Sequence, residues 1–201
     1  MKQLLVDYLP FQISPQQINE AMAQNGGRLL VKGILQRADA ENQNGRRYPR
    51  PILQREAVKY TESIKQRRAL GELDHPDSAV VNLNNVSHNI IEMHWDGNDL
   101  LGTVEVLTTP AGNILRELFK AGITLGISSR GMGSVKELGE GKVEVQEDFD
   151  LIAFDFVSNP STQGAFLRPI HESVSKGGII TPAANKYGVI NRLITDILSD
   201  F

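Results

Sequence analysis

Apolar positions along the chain alternate between a helical and a strand period, and the changes fall at turn residues. Ser14-Pro15-Gln16-Gln17 opens the first helical stretch, with Ser14 as N-cap, Pro15 as first helical residue and Gln17 closing a capping box. Gly26-Gly27 ends that helix just after Asn25. Residues 29–36, with Leu29, Leu30, Val31, Ile34 and Leu35, form an apolar run of strand length. The polar segment that follows, Asn42-Gln43-Asn44-Gly45-Arg46-Arg47-Tyr48-Pro49, contains an Asn-Gly turn signal. Residues 51–67 return to the helical period, with Ile52, Leu53, Val58 and Ile64 opposite many charges. Strands over 86–95 and 100–107 flank Asp96-Gly97-Asn98-Asp99, a hairpin signal.

Thr109-Pro110 repeats the N-cap and N1-proline pattern and starts a helix that ends at Lys120-Ala121-Gly122. A glycine-rich strand then runs from Ile123 toward Val135, and Gly139-Glu140-Gly141-Lys142 forms a turn. Residues 143–157 make a long apolar run interrupted by charges. Beyond Pro169 the composition loosens through Ser173, Ser175, Lys176, Gly177 and Gly178. Thr181-Pro182 then opens a last amphipathic helix carrying Val189, Ile190, Leu193, Ile194, Ile197 and Leu198. The pattern predicts a sheet-rich α+β domain with a helical segment over 1–28, a core domain over 29–168, and a linker plus amphipathic helix over 169–201.

Composition narrows the chemistry. The net charge of −3 argues against nonspecific nucleic-acid binding. Absence of cysteine excludes disulfides, thiolate metal sites and a cysteine nucleophile. Four scattered histidines with no HExxH speak against a zinc hydrolase, so neither metal nor other cofactor is expected. No apolar run is long enough to span a membrane. The opening MKQLLVDYLPFQ, broken by Asp7 and Pro10, is a poor signal peptide, and the expectation is a cytoplasmic protein.

Three stretches carry candidate chemistry. In Gly126-Ile127-Ser128-Ser129-Arg130-Gly131-Met132-Gly133, strand alternation puts Ser128 and Arg130 on one face and Ser129 on the other. The glycines clear space for a second backbone, so a serine nucleophile fits, as does an ordinary polar strand at a sheet edge. In Ala69-Leu70-Gly71-Glu72-Leu73-Asp74-His75-Pro76, Pro76 biases His75 toward an extended backbone between two carboxylates. A histidine so placed suits a general base, and a solvated turn explains the same residues. Asp155, inside the apolar run at Phe154-Asp155-Phe156, needs a buried partner or a function, and a turn cap at Asn159-Pro160-Ser161 would equally satisfy it.

Taken in order, five stretches resemble the prohead proteases of tailed bacteriophages. They are Asn42-Gln43-Asn44-Gly45-Arg46-Arg47-Tyr48-Pro49, Gly71-Glu72-Leu73-Asp74-His75-Pro76, Trp95-Asp96-Gly97-Asn98, Gly126-Ile127-Ser128-Ser129-Arg130-Gly131 and Asp155-Phe156-Val157-Ser158-Asn159-Pro160-Ser161. Together they cover residues 29–167. The resemblance implies serine endopeptidases with a fold similar to herpesvirus assemblins, a partly closed, mainly antiparallel β-barrel surrounded by helices. It further implies action in the host cytoplasm, inside the assembling prohead. The substrates would be scaffold or core proteins and major capsid precursors, cut after glutamate. Self-association and self-processing are also implied, the latter with Glu172 as the best placed glutamate.

Carried over residue by residue, the resemblance makes Ser128 the nucleophile and His75 the base. The herpesvirus relatives have histidine as third member, whereas the corresponding strand here offers Asp155. The turn from Ser158 to Gln163, including Ser161 and Thr162, is the candidate oxyanion and substrate-binding element, with Arg130 assisting electrostatically. A noncatalytic capsid-assembly or scaffold protein that keeps a protease-like fold is the competing expectation. A nucleic-acid-binding module using residues 42–48 and Arg67-Arg68 is disfavoured by the acidic balance and the lack of stacking aromatics.

Overall fold

The computed structural model describes residues 3–11, 15–42, 44–123, 125–158 and 168–169. Along these the order is β1 (Gln3–Phe11), α1 (Pro15–Gln24), β2 (Leu29–Arg37), β3 (Arg46–Arg47), α2 (Arg50–Lys65) and β4 (Leu70–Glu72). Then follow β5 (Val86–Asp96), β6 (Asp99–Val106), α3 (Pro110–Lys120), β7 (Leu125–Gly133), β8 (Val135–Gly139), β9 (Lys142–Val145), β10 (Asp150–Val157) and β11 (Arg168–Pro169). The fold is mixed α+β with mainly antiparallel sheets.

Capping explains where α3 begins. Thr109 accepts a hydrogen bond on its hydroxyl from the Gly112 amide at 3.0 Å, and Pro110 occupies the first turn, where its missing N–H costs nothing. Gly122, at φ 73°, takes the left-handed conformation that ends α3. The β5–β6 hairpin closes through Gly97 and Asn98, with Asp96 paired to Asp99 across the turn.

The strands form three sheets. One has the order β1-β7-β10, a second β11-β2-β6-β5-β4, and a small third β3-β9-β8. Among the described residues no sheet closes into a barrel; a parallel bridge between Leu73 and Phe156 links the edge of the second sheet to β10 of the first. The main core lies between these two sheets and the helices, around Leu115, Phe119, Ile127, Phe154 and Phe156. Within it Tyr60 meets Phe154 edge-on with ring centroids 5.5 Å apart, and Phe119 meets Phe156 in the same way. A second cluster, around Tyr48, Leu53, Val145 and Phe149, fastens the small sheet to α2.

Two expectations are corrected. The segment over 1–28 is not wholly helical: Gln3–Phe11 forms β1, which pairs antiparallel with the whole of β7. Pro10 is tolerated because β1 is an outer strand, where a missing ladder donor is affordable. The long run over 143–157 divides into β9 and β10 at a turn, where the Phe149 amide donates to the Gln146 carbonyl and Asp148 accepts from Ser134. The linker and last helix expected after Pro169, with Glu172, lie outside the described residues.

Candidate active site

β7 is the central strand of its sheet, so the edge-strand explanation of its serines does not hold. The glycines that thin it also have an occupant within the protein. A Cβ on Gly131 would lie 2.4 Å from the Phe149 ring and 2.7 Å from the Asp150 carbonyl oxygen, so that glycine admits β10 and Phe149 rather than a substrate.

Alternation along β7 separates the two hydroxyls. Ser129 faces the core, opposite Phe154, and its Oγ accepts a hydrogen bond from Gln36 Nε2 at 2.7 Å. Ser128 faces the other side, directly opposite Asp155 in the antiparallel register. Such partners share a face with Cβ atoms about 5 Å apart. A bulge between Leu151 and Ala153 resets the register so that Arg130 pairs with Ala153, beside Asp155. Ser128, Arg130 and Asp155 thus form one buried polar strip, each with 0% relative exposure.

His75 reaches this strip from the segment after β4. Three backbone amides tie that segment to β10 and the neighbouring turn: Leu73 N donates to the Asn85 carbonyl, Asp74 N to the Phe156 carbonyl, and Glu72 N to the Asp155 side chain at Oδ1. Asp74 turns the chain at φ 70°, a conformation Asp tolerates better than most residues, and its Oδ1 accepts from the His75 amide at 2.9 Å. Gly71 is required beneath, since a Cβ there would sit 2.0 Å from the Phe154 carbonyl oxygen and 2.2 Å from His88 Nε2.

The result places His75 Nδ1 3.0 Å from Asp155 Oδ2. Arg130 Nε donates to the same oxygen at 2.7 Å, and Arg130 Nη2 to Oδ1 at 3.2 Å. Burial alone would push the Asp155 carboxyl up, but the hydrogen bonds from His75 and Arg130, the Arg130 charge and the Glu72 amide together hold it below its ordinary value. Asp155 is therefore ionised at neutral pH and can only accept, so the neutral imidazole carries its proton on Nδ1 and presents a bare Nε2. His75 Nε2 and Ser128 Oγ are both buried, and neither finds a hydrogen-bond partner among the described residues.

Arg130 is placed differently from the expectation that it assists an oxyanion. Its buried guanidinium is committed to Asp155, to Glu72 Oε1 at 2.9 Å and to the Ser78 carbonyl at 2.6 Å. Ser161 and Thr162, the expected oxyanion and substrate-binding residues, lie outside the described residues. The buried carboxylate of Glu72 was visible in the sequence only as a charge near His75. The Ser78 carbonyl, a backbone atom, carried no sequence signal at all.

His88 is a structural histidine. Its Nε2–H donates to the Phe154 carbonyl at 2.8 Å, Nδ1 lies 2.8 Å from Ser87 Oγ, and the ring meets Phe156 edge-on. Burial pushes its pKa down to about 4, against smaller opposing effects of Asp155 and the Phe154 carbonyl, so it stays neutral.

Comparison with known proteins gives this arrangement a context. The family model described as prohead core protein serine protease matches residues 12–175. The prohead core protein protease of Enterobacteria phage T4 is 37% identical over 145 residues, spanning 70% of this chain and 68% of that relative. The solved structure of the bacteriophage T4 capsid assembly protease superposes with a TM-score of 0.68 at 29% identity, covering 79% of this chain and 99% of that one. Ser128, His75 and Asp155 all fall within the residues that the family model matches, and the chain belongs to the prohead core protein serine protease family.

Proposed function

We propose that this protein is a prohead maturation protease, a serine endopeptidase acting inside the assembling prohead in the host cytoplasm. Its substrates are scaffold or core proteins and the major capsid precursor, cut after glutamate, and the chain also processes itself. The observation that carries this reading is the Asp155–His75 hydrogen bond, with His75 Nε2 and Ser128 Oγ buried beside it and unpartnered among the described residues. A buried hydroxyl and a buried ring nitrogen without partners are costly, and a reaction that joins them accounts for both.

In this mechanism Ser128 Oγ attacks the scissile carbonyl carbon while its proton passes to His75 Nε2. Asp155 holds the Nδ1–H tautomer and stabilises the imidazolium. The imidazolium then protonates the leaving amine. Water, deprotonated by the same nitrogen, hydrolyses the acyl-enzyme and restores Ser128. Backbone amides of the segment holding Ser161 and Thr162 would stabilise the oxyanion, each such donor contributing about 3–4 kcal/mol. The same reading carries a partly closed, herpesvirus-protease-like barrel, which the Leu73–Phe156 bridge between two sheets supports.

A fluorophosphonate probe tests the nucleophile: wild type should label and Ser128→Ala should not. Mass spectrometry after long incubation tests specificity, with new termini after glutamate, Glu172 first, expected in wild type alone. Cuts after basic or apolar residues would overturn the glutamate preference. A folded wild type that neither labels nor cleaves would instead mark a noncatalytic assembly protein.

A further inference from the structure

We propose that Glu72 and Arg130 form a positioning pair that sets the net charge on Asp155, and through it the readiness of His75 to take a proton. The inference rests on the catalytic roles assigned above to Ser128, His75 and Asp155.

The geometry places three ionic groups in one dry cluster. Arg130 donates twice to Asp155 and once to Glu72, and all three side chains are 0% exposed. An aspartate whose charge is cancelled by an arginine is a weak partner for an imidazolium. Glu72 supplies a second negative charge to the same guanidinium, so the cluster of two carboxylates and one cation keeps a surplus of one negative charge. The proton that arrives on His75 during attack neutralises that surplus. In a water-excluded site such an interaction is far less screened than at the surface.

Glu72 and Arg130 also fix where the base sits. Glu72 Oε1 accepts from the Asn82 amide at 3.0 Å, and Arg130 Nη1 binds the Ser78 carbonyl, so the loop carrying His75 is held on the far side of the histidine as well. Among the residues whose side chains are described, the other ionisable groups around the cluster do not supply that surplus charge. Asp74 and Asp77 on the loop are exposed to water. Tyr60, from α2, has its pKa raised, mainly by burial, and His88, from β5, stays neutral as described, so neither carries charge near neutral pH.

The test is the pH dependence of kcat/KM with a peptide substrate, whose acid limb reports protonation of the base. Glu72→Gln keeps the shape and removes one negative charge; its acid limb should move to lower pH by roughly one unit, with a lower plateau. Arg130→Gln removes the positive charge and should move the limb to higher pH. A role confined to folding would lower the melting temperature and leave the limb in place. Opposite shifts support the pair, as does the expected shift in whichever single variant folds; an unmoved limb in a folded variant overturns it. The catalytic reading is judged separately, by Ser128→Ala and His75→Ala: if either stays active, that reading fails, whereas an unmoved limb in an enzyme that needs both residues defeats only the pair.

Discussion

Each face of the β7–β10 ribbon carries one serine and meets one histidine, but the two faces treat them in opposite ways. On the core face, Ser129 is bonded to Gln36 and His88 is locked between Ser87 and the Phe154 carbonyl, so the hydroxyl and both ring nitrogens are used. On the other face, Ser128 Oγ and His75 Nε2 have no partner among the described residues, beside a fully bonded Asp155. On the proposed reading, identical residue types thus serve packing on one side and catalysis on the other. What distinguishes them is whether the last hydrogen bond has been made.

Substitution should expose this asymmetry most sharply at the serines and histidines of the open face. Ser128→Ala should abolish peptide cleavage with the melting temperature held or raised, since the hydroxyl has no bond to lose among the described residues. His75→Ala should lower single-turnover cleavage by several orders of magnitude and leave the core intact, because the ring sits at the rim of the site. Cleavage that survives either change at wild-type rate would end the distinction between faces.

Asp155 belongs to both worlds, and Asp155→Asn should lose on both counts. Turnover should fall about 10⁴-fold, because an amide no longer holds the Nδ1–H tautomer. Stability should fall as well, by about 3 kcal/mol, since Arg130 would keep its buried charge with one carboxylate gone. The sign with pH follows from the lowered carboxyl pKa. The stabilisation from Asp155 is complete above the ordinary carboxylate range and is lost as pH falls toward its native pKa. Chemical denaturation at several pH values checks this: Asp155→Asn should lack that part of the acid-induced loss. A variant that is destabilised yet fully active would remove Asp155 from catalysis.

His88 should announce itself through stability alone. With a native pKa of about 4 against an ordinary value near 6.5, it binds its proton more readily when the chain is unfolded. Its contribution is whole above about pH 6.5 and shrinks as pH falls to about 4, by roughly 3 kcal/mol across that window. Replacing it with glutamine should flatten this part of the stability curve while turnover per folded molecule persists. Catalysis that vanishes in a folded His88→Gln protein would move the base to the core face.

How far the chain could be read in advance divides along the same lines. Helices α1 and α3 and the β5–β6 hairpin were legible because Pro15, the Thr109 cap with Pro110, and Asp96-Gly97 act locally. The alternation of Ser128 and Ser129 followed from strand period, and the cost of a buried charge at Asp155 was plain from its aromatic flanks. β1 was not legible: Asp7 and Pro10 look like breakers, and a proline without a ladder donor is acceptable only because β1 is an outer strand beside β7. The direction of Arg130 was equally hidden, because it depends on a bulge in β10 and on a loop brought in by backbone hydrogen bonds.

The smallest effect concerns the second serine and tests the closed face by itself. Ser129→Ala removes the acceptor of Gln36 Nε2 inside the core, leaving a buried N–H without a partner, while Gln36 Oε1 keeps its bond to the Arg37 amide at 2.9 Å. The expected loss is about 1–2 kcal/mol, a fall in melting temperature of roughly 2–8 °C for a chain of this size. Gln36→Leu should lose at least as much, since it also takes the acceptor from the Arg37 amide. The double variant should be less destabilised than the sum, since replacing both partners by apolar groups removes the stranded donor. Ser128 lies on the opposite face, so cleavage per folded molecule should stay near wild type in all three. Additive losses would mean that the Gln36–Ser129 bond contributes nothing of its own, and a dead Ser129→Ala enzyme would assign the nucleophile to the wrong face.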